Sequence, residues 1–158
     1  MKVVEISDGH ESVRICLPQQ DTMRSRYSIW DTHRFCTAGA DSKLRLFSSH
    51  LKSEDTVTVM DGHTSYVNDV VFEPTEGQQI ASVSDDHTCR VWGLDGLQRA
   101  CFPLYSPGMS VCWHPDEPAK VPMSSLLPVT AGGLSWHATL PVCAVGGDRK
   151  VHLWMTEI

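Results

Sequence analysis

The chain has 158 residues, 41% of them hydrophobic and 20% charged, which suits one globular domain and excludes a disordered or collagen-like polymer. No apolar run approaches the ~18 residues that a membrane span needs, so no membrane insertion is expected. Nineteen acidic against thirteen basic side chains leave a net charge of −6, which argues against a nucleic-acid face or a polybasic membrane patch.

In chain order, Lys2-Val3-Val4-Glu5-Ile6 reads as a short strand, and its early acid leaves no signal-peptide core. Asp8-Gly9-His10 follows. The rest of residues 1–33 is divergent, with Tyr27-Ser28-Ile29 leading into Trp30-Asp31 as a weak inner strand that ends in an aromatic. Residues 36–47 then run from small residues through Asp41 into the alternation Lys43-Leu44-Arg45-Leu46, and end on Phe47. Period-two alternation beyond a polar turn is the pattern of a β-hairpin.

Thr56-Val57-Thr58-Val59-Met60 precedes Asp61-Gly62-His63, much as 2–6 precedes Asp8-Gly9-His10. Residues 66–72 form a second inner strand ending in Phe72-Glu73-Pro74. Residues 81–92 repeat the hairpin pattern through Asp86 to Trp92. Residues 109–113 form a third inner strand, closed by Trp113-His114-Pro115, and Gly133-Leu134-Ser135-Trp136-His137 a fourth. Residues 143–154 carry the hairpin again, with Asp148 and Trp154. All three hairpins align without gaps, and the Asp-to-aromatic distance is six in each.

Asp41 and Asp86 lie 45 positions apart, Trp30 and Phe72 42, and Phe72 and Trp113 41. A repeat of that length with a Gly-His…Trp pattern predicts an all-β WD-repeat β-propeller. A seven-bladed ring would need about twice this length, so the chain holds about three to four blades' worth of a partial propeller. Trp113 and Trp136 are only 23 apart. The reading is thus one incomplete propeller over 1–158. It comprises a divergent 1–33, two blades plus an inner strand over 34–115, a junction with lost blades over 116–131, and a terminal blade over 132–158. The last unit lacks an outer strand, so 2–6 is expected to supply it by pairing with 150–155. A frayed amphipathic N-terminus is the alternative.

In WD repeats a His, a Ser or Thr, the turn Asp and the Trp commonly share one buried hydrogen-bonded network. The matching residues are His63, Ser82, Asp86 and Trp92, with Asp41, Phe47, Asp148 and Trp154 as turn and strand equivalents. A buried indole N–H and a buried imidazole both need partners. The same residue types could form a hydrolytic Ser-His-Asp triad, but no G-x-S-x-G elbow or oxyanion loop accompanies them, so no catalytic residue is assigned. Cys16, Cys36, Cys89, Cys101, Cys112 and Cys143 include no C-x-x-C pair, and the eight histidines show no H-E-x-x-H, so neither a disulfide nor a metal or other cofactor is expected. Trp92-Gly93, Trp154-Met155 and Phe47-Ser48 lack the W-D-x-R of ubiquitin-ligase receptor propellers.

Residues 34–117 and 132–158 resemble the small WD-repeat nucleoporins of the Y-shaped nuclear pore scaffold complex. The strings at 80–90, 106–115 and 133–137, and residues 35–47 with Phe47 in place of Trp, carry the resemblance. It implies a seven-bladed, non-catalytic scaffold subunit at the nuclear pore and nuclear envelope, in the nucleus, supporting pore assembly and the transport of protein and mRNA. It implies docking on the large propeller-plus-helix nucleoporin of that complex and an association with kinetochores in mitosis. This chain then reads as a shortened form. The alternatives are a WD-repeat adaptor or ubiquitin-ligase substrate receptor, and a truncated isoform without stable function.

Overall fold

The computed structural model describes residues 2–7, 12–17, 22–28, 31, 33–48, 57–113, 123–124, 133–137, 142–147 and 150–155. Every regular element among them is a strand. Strands β1 (Lys2–Ser7) and β2 (Ser12–Leu17) form a two-stranded sheet. Strands β3 (Thr22–Tyr27), β4 (Arg34–Gly39), β5 (Lys43–Ser48) and β6 (Val57–Asp61) form a four-stranded antiparallel sheet in sequence order. So do β7 (Val67–Phe72), β8 (Gln79–Ser84), β9 (Thr88–Gly93) and β10 (Gln98–Pro103). Strand β11 (Val111–Cys112) pairs with β12 (Met123–Ser124), and β13 (Gly133–Trp136), β14 (Val142–Gly147) and β15 (Lys150–Met155) form a three-stranded sheet.

The first three strands of the two four-stranded sheets are copies at a shift of 45 residues. Thr37 faces Arg45 as Ser82 faces Arg90, and Phe35 faces Phe47 as Ile80 faces Trp92. The register slips after Thr22 in β3 and after Val67 in β7, an equivalent bulge in each innermost strand. Both hairpins turn through three residues, and the last of them, Ser42 or His87, is left-handed at φ 66° and 62°. By this register the partner of Phe72 in the first blade is Tyr27. The strand-end aromatic read at Trp30 is therefore displaced by three positions, and Trp30 lies outside the described residues. The first blade also begins upstream of residue 34.

Alternation decides the packing. Cys36, Ala38, Leu44 and Leu46 on one face of the first sheet meet Val70, Phe72, Ile80 and Trp92 of the second, with Met60 and Val67 in the same core. The opposite face of the second sheet, Ala81, Val83, Cys89 and Val91, is covered by Val111 and Trp113 of the next unit. Both faces of the second sheet are thus buried by its neighbours, which is how a propeller stacks its blades.

Two expectations are corrected. Residues 2–6 do not complete the last sheet. Strand β1 pairs with β2, from Lys2↔Leu17 to Ser7↔Ser12, and the last sheet has three strands. A local hairpin costs far less loop-closure entropy than joining distant parts of the chain. The third hairpin also departs from the gap-free alignment. Gly147 pairs with Lys150, Ala144 with Leu153 and Cys143 with Trp154, one position off the register of the first two hairpins. A one-residue shift exchanges faces, so Val151 and Leu153 lie opposite Gly146 and Ala144 rather than beside Cys143 and Val145. Asp148 lies outside the described residues, as does the junction 116–131 apart from β12.

Candidate functional site

Four of the residues singled out from the sequence meet inside the second blade. His63, just before β7, projects into the sheet and places Nε2 2.8 Å from Ser82 Oγ and Nδ1 2.8 Å from Asp86 Oδ2. Trp92 Nε1 donates to Ser82 Oγ at 2.9 Å, and the His63 and Trp92 rings meet edge to face at 6.0 Å. The Asp86 carboxylate accepts from Nδ1 and a neutral imidazole has a single N–H, so Nε2 accepts from Ser82, whose oxygen accepts from Trp92. The four side chains form one directed chain, Trp92 to Ser82 to His63 to Asp86.

Asp86 takes more donors than the sequence suggested. The Thr64 and Thr88 amides donate to it at 3.0 and 2.9 Å, and Thr88 Oγ1 donates at 2.6 Å. Arg90 Nη2 lies 3.8 Å away. Neither threonine nor Arg90 was singled out, because a backbone amide has no sequence signature and a threonine in a strand reads simply as β propensity. Gly62 has a steric reason for its place before His63. A Cβ there would meet Arg90 Nη1 at 2.6 Å and Trp92 Cη2 at 3.0 Å.

The equivalents in the first blade behave differently. Phe47 replaces the indole and stacks on Phe35, centroids 4.7 Å apart and planes 9° from parallel. With Phe in place of Trp there is no indole proton to satisfy. Asp41 is held by Arg45 instead, in a two-point contact with Nη1 at 3.2 Å and Nη2 at 2.5 Å. That hydrogen bond, foremost, keeps the Asp41 carboxyl below its usual range. Arg45→Met should cost about 1–3 kcal/mol in chemical denaturation, because it leaves a largely buried carboxylate with little but a backbone donor. Carbon-detected titration should show the Asp41 pKa rising in the same variant.

Burial, working against the pull of Asp86, holds His63 below its ordinary pKa. Burial alone would raise Asp86, but hydrogen bonds from Thr88, His63 and the Thr64 amide outweigh it and bring the carboxyl to about 2. Both shifts act in one direction. A histidine whose folded pKa is depressed contributes full stability above its unfolded value near 6.5 and loses it as pH falls through that value. The contribution of Asp86 is full above its unfolded value of 3.8 and is lost on approach to about 2. Unfolding free energy should therefore begin to fall as the pH drops below about 6.5. His63→Gln should flatten that slope relative to the unsubstituted chain, and equal slopes would refute a neutral buried His63.

The distances within Ser82, His63 and Asp86 are those of a proton-relay triad. Ser82, however, is fully buried, and its oxygen already accepts from Trp92. A nucleophile needs an open approach and an oxyanion site beside it. Among the described residues no group of three His, Cys, Asp or Glu side chains is placed to hold a metal ion, and no helix is long and apolar enough to cross a membrane. Asp148 is not among these residues, and Trp154 is placed only as a strand position opposite Cys143.

Asp69 on β7 was missed by the sequence reading. It is buried, and its carboxylate accepts from Val70 N at 3.0 Å, Ser110 Oγ at 3.1 Å and Val111 N at 3.2 Å, with Arg26 of β3 4.0 Å away. It therefore touches three successive units.

Comparison with known proteins agrees with this architecture. Residues 54–93 match the family model for the WD domain, G-beta repeat. The chain is similar to human "Nucleoporin Nup37", 59% identical over 88 residues, which is 56% of this chain and 27% of the relative. It is similar to the Drosophila melanogaster protein of the same name, 41% identical over 100 residues, 58% of this chain and 31% of the relative. It is 31% identical over 130 residues to "Protein transport protein sec13" of Aspergillus oryzae, 79% of this chain and 38% of the relative. The chain thus spans about a quarter of the length of the nucleoporin relatives from human and mouse. In structure it superposes on a chain of the "Crystal Structure of Mitotic Checkpoint Complex" with a TM-score of 0.79 at 13% identity, over 98% of this chain and 55% of that one. The chain is a partial WD-repeat propeller and resembles a shortened WD-repeat nucleoporin.

Proposed function

We propose that the chain is a non-catalytic scaffold subunit of the nuclear pore. In this reading it acts through shape and surface, supports pore assembly and nucleocytoplasmic transport, and docks on other nucleoporins of the Y-shaped complex, chiefly its large propeller-plus-helix subunit. The observation that carries the reading is the 59% identity to a nucleoporin across 88 residues. The buried tetrad supports it from the other side. Each member is consumed in holding the outer hairpin of the blade to the segment before its inner strand, and none faces an opening. The tetrad is proposed as a structural tie. An association with kinetochores in mitosis, implied by the resemblance, belongs to the same proposal.

The test is affinity capture of the tagged chain together with imaging. A nuclear-rim signal and recovery of Y-complex subunits are expected. Recovery of a ubiquitin-ligase adaptor without pore subunits would favour the adaptor reading. The absence of W-D-x-R after Trp92 and Phe47 already weighs against it.

A further inference from the structure

We infer that Cys112 and Cys143 form a redox-sensitive pair, joined as a disulfide between two neighbouring sheets when the chain meets a peroxide and parted again by a thiol reductant. The inference rests on the stacking of the sheets and not on the nucleoporin reading.

Along an inner strand, successive side chains face opposite neighbours. In β7, Val70 and Phe72 pack on the first sheet, whereas Val71 between them joins the core that holds Val111 and Trp113. Val111 and Trp113 themselves pack back on the second sheet. Cys112 between them is therefore directed forward, to the side where β11 lies against β13 of the last sheet. In the last sheet Cys143 and Val145 share one buried face, with Leu134 opposite Val145 on the same face. Cys143 is fully buried there, and its thiol is hydrogen-bonded to that of Cys112. The two sulfurs thus meet from strands of different sheets that share no backbone pairing.

Among the described residues, Cys36, Cys89, Cys101, Cys112 and Cys143 are free thiols. Cys36 and Cys89 are buried, and burial pushes each up to about 12, away from the reactive thiolate. Cys101 is exposed but stands opposite Arg90, on the face of its hairpin turned away from Cys89. Burial raises Cys143 too, against the pull of the hydrogen bond from Cys112, so the half-buried Cys112 is the thiol that meets the oxidant. Its sulfur attacks one oxygen of the peroxide and the O–O bond breaks. Cys112 becomes a sulfenic acid, and the departing hydroxide takes the thiol proton and leaves as water. The Cys143 sulfur then attacks the Cys112 sulfur and the S–O bond breaks. The hydroxide released takes the proton of Cys143 as a second water. Two thiols and one peroxide give one disulfide and two waters. The bond closes a loop of about 30 residues and so restricts the unfolded chain. It also fixes the last sheet to the unit before it.

Cys101→Ser removes the exposed thiol and leaves the pair intact. The full chain with that substitution is treated with hydrogen peroxide, alkylated in denaturant and digested without reductant. Mass spectrometry should find a linked peptide joining Cys112 to Cys143, with Cys36 and Cys89 alkylated, and dithiothreitol should release it. The urea midpoint should be higher in the oxidised form than in the reduced form. Cys112→Ser should abolish the linked peptide and return Cys143 as a thiol. With Cys143→Ala, dimedone should instead trap Cys112 as the sulfenic acid. Peptide mapping of the chain that carries only Cys101→Ser decides the matter even if a further variant fails to fold. Recovery of Cys112 and Cys143 as thiols, under peroxide that oxidises Cys101 in the unsubstituted chain, would overturn the inference. So would a link from either to another cysteine, or a sulfenic acid at Cys112 as the end product while Cys143 is present.

Discussion

Asp86→Ala should lower the unfolding free energy by about 3–5 kcal/mol, the sum of several buried donors left without an acceptor at about 1–3 kcal/mol each and partly relieved by water. The donors are His63 Nδ1, the Thr64 and Thr88 amides and Thr88 Oγ1. Asp95→Ala, at an exposed turn pairing with Arg99, removes a carboxylate of similar local geometry and should have no resolvable effect. The two variants separate loss of charge from loss of a buried acceptor. Since His63 is held from both sides, His63→Ala combined with Asp86→Ala should cost clearly less than the two single effects added, and urea denaturation of the four proteins measures the coupling. Additive effects would mean that the relay is not one unit. Ser82→Ala should fall between the two aspartates, because it strands Trp92 Nε1 and His63 Nε2 in a buried site.

The tetrad was legible because each member is a residue type that a propeller blade places at a fixed offset, and the 45-residue copy gave a second view of the same positions. Fold class was legible for the same reason. Alternation such as Lys43-Leu44-Arg45-Leu46 carries its own strand assignment. Register was less legible. Gap-free alignment places Arg149 where Ser42 and His87 stand, yet the third hairpin closes at Gly147↔Lys150. Loop length is set by backbone conformation, and small residues such as Gly146 and Gly147 accept either strand or turn. The placement of β1 was illegible in principle. Lys2-Val3-Val4-Glu5-Ile6 precedes Asp8-Gly9-His10 as Thr56-Val57-Thr58-Val59-Met60 precedes Asp61-Gly62-His63, but such a string names a strand and not its partner. Asp69 was hidden by a bulge. Val67 pairs with Ser84 and Asp69 with Val83, so the slip at Asn68 turns the carboxylate toward the next unit where strict period two gives no warning.

That hidden carboxylate carries the second large effect. Asp69→Ala should destabilise the chain by about 2–4 kcal/mol, through the stranded Val111 amide and Ser110 hydroxyl in a buried site. The effect should differ in kind from that of Asp86. Asp86 ties a hairpin to its own blade, whereas Asp69 reaches from β7 to the next unit and stands beside Arg26 of the previous one. In a stack of blades cooperativity depends on the contacts between neighbours. Asp69→Ala should therefore broaden the denaturant transition and reduce its slope as well as move its midpoint, while Asp86→Ala should move the midpoint of a transition that stays sharp. Asp69→Asn is the stricter probe. It keeps the shape and one acceptor oxygen but turns an amide donor toward Ser110 or Val111. Hydrogen exchange at Val111 should then accelerate even if the global midpoint falls only modestly. An unchanged slope in Asp69→Ala, with Val111 exchanging no faster than the core of β8, would show that the apolar contact of Val111 and Trp113 holds the units together without the carboxylate.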